Sequence, residues 1–194
     1  MLVSTYELLI NKKQFPKAKD LPFPIDNDQE VILDDLSREV IQGYFLTISN
    51  LMNEELMLNV SFNVLSDSTE NLFNRDNVAA LIDVDGKNKK APLISASPEK
   101  SNYLVVLKAK DTGLLIVQPN PSFIFDSKKE IELRGNVDVF AMSDKKDISF
   151  LLTPEHRATF YKRNANGGTE NPFVQLDQIA YTLPTANGGS LFKF

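Results

Sequence analysis

The chain has 194 residues, 42% apolar and 24% charged, with a net charge of −5 and no cysteine. Such a chain folds around a core and buries about 70% of its unfolded surface. Disulfides, thiol catalysis and thiolate metal sites are excluded, the acidic balance opposes nucleic-acid binding through phosphate contacts, and no apolar run approaches the ~20 residues of a membrane-spanning helix.

Residues 1–7 lack a basic region ahead of an apolar core, so the expectation is a cytoplasmic protein or one secreted by a signal-free route. Residues 3–10 read as a first strand. Residues 15–28 hold Pro16, Pro22 and Pro24 among charges and read as an extended connector, and 31–36 as a short strand or a helical turn. Lys12, Lys13, Lys17 and Lys19 come with no acid among them. Seven acids between Asp20 and Glu39 then face Arg38 alone. That is the pattern of a solvated arm whose halves neutralise each other, so 1–38 is expected as a partly irregular N-terminal arm.

The clearest pattern follows. Residues 56–64 alternate apolar and polar without a miss, and 40–49 supply a partner run. Folded as a hairpin across 50–54, with Ser49 opposite Glu55, the register sets Ile48 against Leu56, Leu46 against Leu58 and Tyr44 against Val60. Both apolar sets then lie on one face, which a one-residue slip would undo.

Residues 66–75 are turn-like, with a single helical turn near 69–73. The runs 78–84 and 91–96 flank Asp85-Gly86-Lys87-Asn88, a hairpin signal because Asp-Gly tolerates positive φ. Strands at 103–110 and 114–118 are separated by a turn at 111–113. In 131–140, Ile131, Leu133, Val137 and Val139 point inward, and Gly135 on that face signals a bulge or a close backbone approach. Residues 148–152, 158–163 and 174–183 complete the strands. The last changes parity, which places a bulge near Asp177 and Gln178. Residues 164–171 read as a loop, and 186–190 as a flexible lead-in to a tail whose Phe192 and Phe194 dock onto the protein's own core. About ten short strands without helical periodicity between them predict a single-domain, all-β antiparallel sandwich over 1–194, with a closed barrel as the alternative.

Little of the chain carries catalytic chemistry. His156 is the only histidine, too few for a His-ligated zinc site. Its surroundings, Thr153-Pro154-Glu155-His156-Arg157, read as one turn of helix with Thr153 as N-cap and Pro154 at the first helical position. Asp83-Val84-Asp85-Gly86 opens like a calcium loop, but lysines follow where acids are needed. Asp26, Asp28 and Glu30 form a weak calcium candidate, since alternate carboxylates in an extended loop can converge on a hard cation. Carboxylate pairs on one strand face, Asp83 with Asp85 and Glu130 with Glu132, are about 6.5–7 Å apart from strand rise alone and are common on solvated sheets. The glycine pairs 167–168 and 188–189 lack the sequence of a phosphate loop.

The most suggestive surface is the outward face of the expected hairpin. It carries Phe45, Thr47, Met57, Asn59, Ser61 and Asn63, and there is no charge in 40–53 or 56–66 apart from Asp67 beyond it. A charge-depleted face that keeps aromatic, Met and small polar side chains has the composition of an interface core, and it also suits a neutral sugar. The expectation is a non-catalytic structural or interaction module, needing no cofactor, that forms a homo-oligomer or binds a protein partner. A carbohydrate- or small-ligand-binding domain, calcium-assisted, is the alternative.

Overall fold

The computed structural model describes residues 1–13, 21–65, 76–125, 129–143, 147–163 and 173–194; the turn expected at 66–75 and the loop expected at 164–171 lie outside these. Twelve strands follow in chain order: β1 (Leu2–Lys13), β2 (Glu39–Asn50), β3 (Leu56–Val64), β4 (Val78–Val84), β5 (Lys87–Lys90), β6 (Leu93–Ser97), β7 (Lys100–Leu107), β8 (Thr112–Pro119), β9 (Ile131–Ala141), β10 (Ser149–Arg163), β11 (Phe173–Thr182) and β12 (Leu191–Lys193). They form one antiparallel sheet curled into a half-barrel, as the all-β reading requires. One helix, α1 (Asn27–Leu36), and a 3₁₀ segment, Pro121–Phe125, join them. Among the described residues no helix is long and apolar enough to cross a membrane.

The strand order β5-β4-β8-β2-β1-β9-β3-β7-β6 turns on β2. One edge of β2 pairs with β10 from Glu39 to Asn50. The other is shared: β1 holds Glu39 to Gln42, and β8 holds Tyr44 to Ser49. The handover falls at Gly43, where a Cβ would lie 2.8 Å from the Gln118 Cβ and 3.2 Å from the Val117 oxygen. Beyond it the sheet divides into two walls, β5-β4-β8-β2-β10 and β1-β9-β3-β7-β6. The stretch expected as an arm therefore contributes a core strand, with Tyr6, Leu8 and Ile10 buried.

The expected β2–β3 hairpin does not form. The inward sets are as read, with Tyr44, Leu46, Ile48, Leu56, Leu58 and Val60 all buried. The two strands, however, belong to different walls, and β3 pairs with β7 and β9. Buried Asn50 explains why the connection crosses over. Its Nδ2 donates to the carbonyls of Glu54 and Lys108, each at 2.7 Å, and its Oδ1 accepts the Met52 N–H at 2.8 Å. One side chain thus ties the β2–β3 crossing to the β7–β8 crossing beside it.

Other segments depart from expectation for local reasons. Asp26 caps α1: its Oδ1 accepts the Gln29 N–H at 2.8 Å, and the Gln29 Oε1 accepts the Asp26 N–H at 3.1 Å. This reciprocal cap starts a full helix over the stretch read as a short strand or a helical turn, and residues 15–20 of the expected connector lie outside the described residues. The turn of helix expected at 153–157 is instead the middle of β10. Pro154 is tolerated there because its missing donor faces the gap between β12, paired at 149–151, and β11, paired from Glu155. The Asp85-Gly86 turn forms with positive φ at both residues, but its second strand is the short, Lys-rich β5 rather than 91–96. The bulge in β11 skips Leu176, beside the expected position. Phe192 docks internally as expected, stacked on Phe150.

The inward side chains of both walls merge in one cluster. At its centre Phe62 meets Tyr6, Tyr44 and Tyr103 edge-on, with ring centroids 5.3, 5.5 and 6.0 Å apart. Such contacts add about 0.5–1.5 kcal/mol each beyond area burial. Gly135 makes the close approach that its inward position implies: a Cβ there would sit 1.8 Å from the Asn63 oxygen and 2.8 Å from the Tyr6 ring. Backbone cannot yield as a flexible side chain can. Gly135→Ala should therefore cost more than about 4 kcal/mol, or prevent folding, by urea denaturation. A loss under about 1 kcal/mol would contradict the close β3–β9 contact.

Candidate interaction surface

The six residues expected on one outward face occupy two. Phe45 and Thr47 lie on the first wall, between Ile116 and Leu114 of β8 and Glu155 and Thr153 of β10. The Phe45 ring is covered by the Arg157 guanidinium, 4.5 Å from its centroid, and Arg157 is held by Glu155 at 2.9 Å. Met57, Asn59, Ser61 and Asn63 lie together on β3, in the second wall.

There the outward residues form rows across β7, β3 and β9: Leu104–Asn59–Phe140, then Asn102–Ser61–Asp138, then Lys100–Asn63–Asn136. Val106 stands opposite Met57, and the Met142 N–H donates to the Met57 carbonyl at 2.9 Å. The result is a patch with two chemistries. Ser61, Asn63, Asn102 and Asn136 form a polar strip whose hydrogen bonds are made internally. Ser61 Oγ donates to Asn102 Oδ1, and Asn63 Nδ2 donates to Asn136 Oδ1 at 2.8 Å and to Asp138 Oδ2 at 2.9 Å. Next to it Met57, Leu104, Val106, Phe140 and Met142 form an apolar area, in which Val106, Phe140 and Met142 are 39%, 43% and 47% exposed. In its middle the Asn59 Oδ1 is buried and has no hydrogen-bond partner among the described residues.

Sequence reasoning found the four β3 residues and missed Leu104, Val106, Phe140 and Met142. A signal for them existed. Residues 103–107 are apolar at every position, and the alternation of 131–140 ends with Phe140 pointing outward. A run apolar on both faces marks a strand covered, or meant to be covered, on both sides.

The acidic candidates have other work. The Asp26 carboxylate is engaged by the α1 cap, and Asp28 lies within the helix; the Glu30 side chain is outside the described residues. Glu130 and Glu132 both pair with Lys12, at 3.6 and 3.0 Å. Among the described residues no three acidic or histidine side chains are grouped as a metal ion would need. In comparisons with known proteins the chain matches no family model, no curated protein and no solved structure.

His156 joins the two walls. Before Leu9, β1 lies off the edge of β2 and passes over the face that carries Gln42, Tyr44 and His156. The Glu7 backbone is thereby left without a strand on that side. His156 Nε2 accepts the Glu7 N–H at 3.0 Å, and Gln42 Nε2 donates to the Glu7 carbonyl at 3.3 Å and to its carboxylate at 3.1 Å. An accepting Nε2 fixes the neutral tautomer with its proton on Nδ1, which donates to the Tyr181 hydroxyl at 3.0 Å. Burial lowers the His156 pKa from its ordinary value, opposed by the Glu7 carboxylate. Below about pH 6.5 the unfolded chain therefore holds more protons at this residue than the folded chain. The stabilisation is complete above that pH and is lost as pH falls through the folded value. His156→Ala should cost about 1–3 kcal/mol at neutral pH, by leaving the Glu7 N–H unpaired. It should also flatten the fall in stability as pH drops below about 6.5. A variant whose unfolding free energy falls with pH as steeply as that of the wild type would refute the role.

Proposed function

We propose that the protein is a non-catalytic interaction module that self-associates through the outward face of β3, β7 and β9, with Met57, Asn59, Leu104, Val106, Phe140 and Met142 as the contact. One observation carries this reading: a carbonyl closed off from water amid apolar side chains that are themselves open to water. A buried acceptor without a donor costs about 1–3 kcal/mol, so the patch is poorly suited to standing alone. A second copy supplies what is missing. The primary amide has two donors and an acceptor, and a two-fold contact centred near Asn59 lets the two side chains turn outward and pair, the Nδ2 of each copy with the Oδ1 of the other. The apolar ring excludes water around that pair, and the polar strip forms the rim. A neutral sugar is the second reading, favoured by the exposed Phe140 ring beside the Asn59 amide. It requires binding by the isolated monomer.

Sedimentation at micromolar concentration tests the proposal. The wild-type mass should exceed the 21.8 kDa of one chain. Phe140→Glu and Val106→Glu, both at exposed positions, should return it to one chain, whereas Phe45→Glu, on the other wall, should leave the assembly intact. Asn59→Leu should stabilise the single chain by about 1 kcal/mol and weaken association. A wild type that sediments as a monomer at every concentration would rule the proposal out, and a melting temperature raised by a sugar panel in that monomer would select the second reading.

A further inference from the structure

The half-barrel has a seam where its two outermost strands approach. β5 ends at Lys90. The Ala91 N–H then donates to the Ala80 carbonyl of β4 at 2.9 Å, and the Pro92 carbonyl accepts the Leu104 N–H of β7 at 2.9 Å. This two-residue link spans from one wall to the other but does not fill the space beside it. Val78, Ala80 and Leu81 on one side, with Leu93 and Tyr103 on the other, line a half-open pocket of ≈ 210 Å³.

Two features of this pocket point to a ligand. Its size comes from sequence: alanines stand at 80 and 91, both buried, where larger apolar side chains would close the seam. An apolar cavity of about 150 Å³ already holds a benzene ring, so this volume takes a single aromatic ring or a chain of about seven carbons. Its mouth is positive. Lys90 is the one charged side chain in the lining, is exposed, and has no ion pair among the described residues; Lys87 and Lys89 lie on the same strand. The nearest acid on β4, Asp83, sits opposite Asn88, two residues away from the pocket end.

We propose that the seam pocket binds a small amphiphilic carboxylate, its apolar body among Val78, Ala80, Leu93 and Tyr103 and its carboxylate against the Lys90 ammonium. The site is separate from the β3 face and does not depend on association there. Calorimetric titration with octanoate, octan-1-ol and octylammonium tests it, because the three share a chain and differ in the head group. Octanoate should bind about fivefold more tightly than octanol, as expected for one solvent-exposed charge pair, and octylammonium least. Lys90→Gln should erase the difference between octanoate and octanol. Ala80→Leu should abolish binding of both by filling the pocket. Octanoate should also shift the methyl resonances of Ala79, Ala80 and Ala91 in the wild-type protein, a readout that survives if that variant does not fold. No heat with millimolar octanoate, equal binding of octylammonium, or shifts confined to other residues would overturn the proposal.

Discussion

A strand edge can satisfy one neighbour at a time, and β2 has two. β1 and β8 both need the edge opposite β10, and they divide it at Gly43. The division requires a residue without a Cβ, because β8 arrives where a side chain would stand. Everything inside the half-barrel follows from it. Once β1 is displaced it must cross the face of the first wall, which opens the wedge that Tyr6, Tyr44 and Phe62 fill. The displacement also strands the Glu7 peptide, and side chains from β10 and β2 replace the lost strand. His156 and Gln42 are thus the polar counterpart of the aromatic wedge. One fills volume and the other completes hydrogen bonds, and both are needed only because the sheet divides.

The strands themselves were legible because burial imposes a period of two that composition records directly. Tyr44, Leu46 and Ile48 on β2 and Leu56, Leu58 and Val60 on β3 are inward as the alternation requires. Gly135 was legible for a related reason: a missing side chain on an inward face implies a close neighbour. Pairing was not legible. Any two inward-facing runs joined by a short link satisfy the same pattern, and what decides between a hairpin and a crossing is the hydrogen bonding of one residue, Asn50, to carbonyls on a distant turn. The α1 cap and the placement of Pro154 show the same limit. Asp26 and Gln29 have the spacing of a capping box, yet prolines before them argue for a loop. Pro154 looks like a helix start until the sheet provides a gap for its absent donor.

The proposed contact surface was half legible. Charge depletion picked out Met57, Asn59, Ser61 and Asn63, but the same criterion added Phe45 and Thr47 through a pairing that does not exist. On their own wall these two are half-buried, and Phe45 lies under Arg157. The rest of the patch comes from β7 and β9, strands whose adjacency to β3 no local pattern announces. The unpaired Asn59 carbonyl is further still from sequence, since it depends on which side chains fail to reach it.

The sheet's ends bear on where association can occur. Open edges invite strand addition, and each end here carries a device against it. β5 presents Lys87, Lys89 and Lys90 along a strand of four residues. β6 is short and runs into Pro98. β11 is longer and exposes Val174, Ile179 and Tyr181, but its ladder is broken at Leu176 and Asp177 stands beside the break. A bulge shifts the register of any strand laid along it, so pairing on one side of Leu176 is out of step on the other. With the edges blunted in three different ways, the exposed apolar area on β3, β7 and β9 lies on a face rather than an edge. Faces associate through side chains, not backbone. In the proposed association specificity then falls to the polar group at the centre, and on β3 that group is an amide whose acceptor has no partner among the described residues.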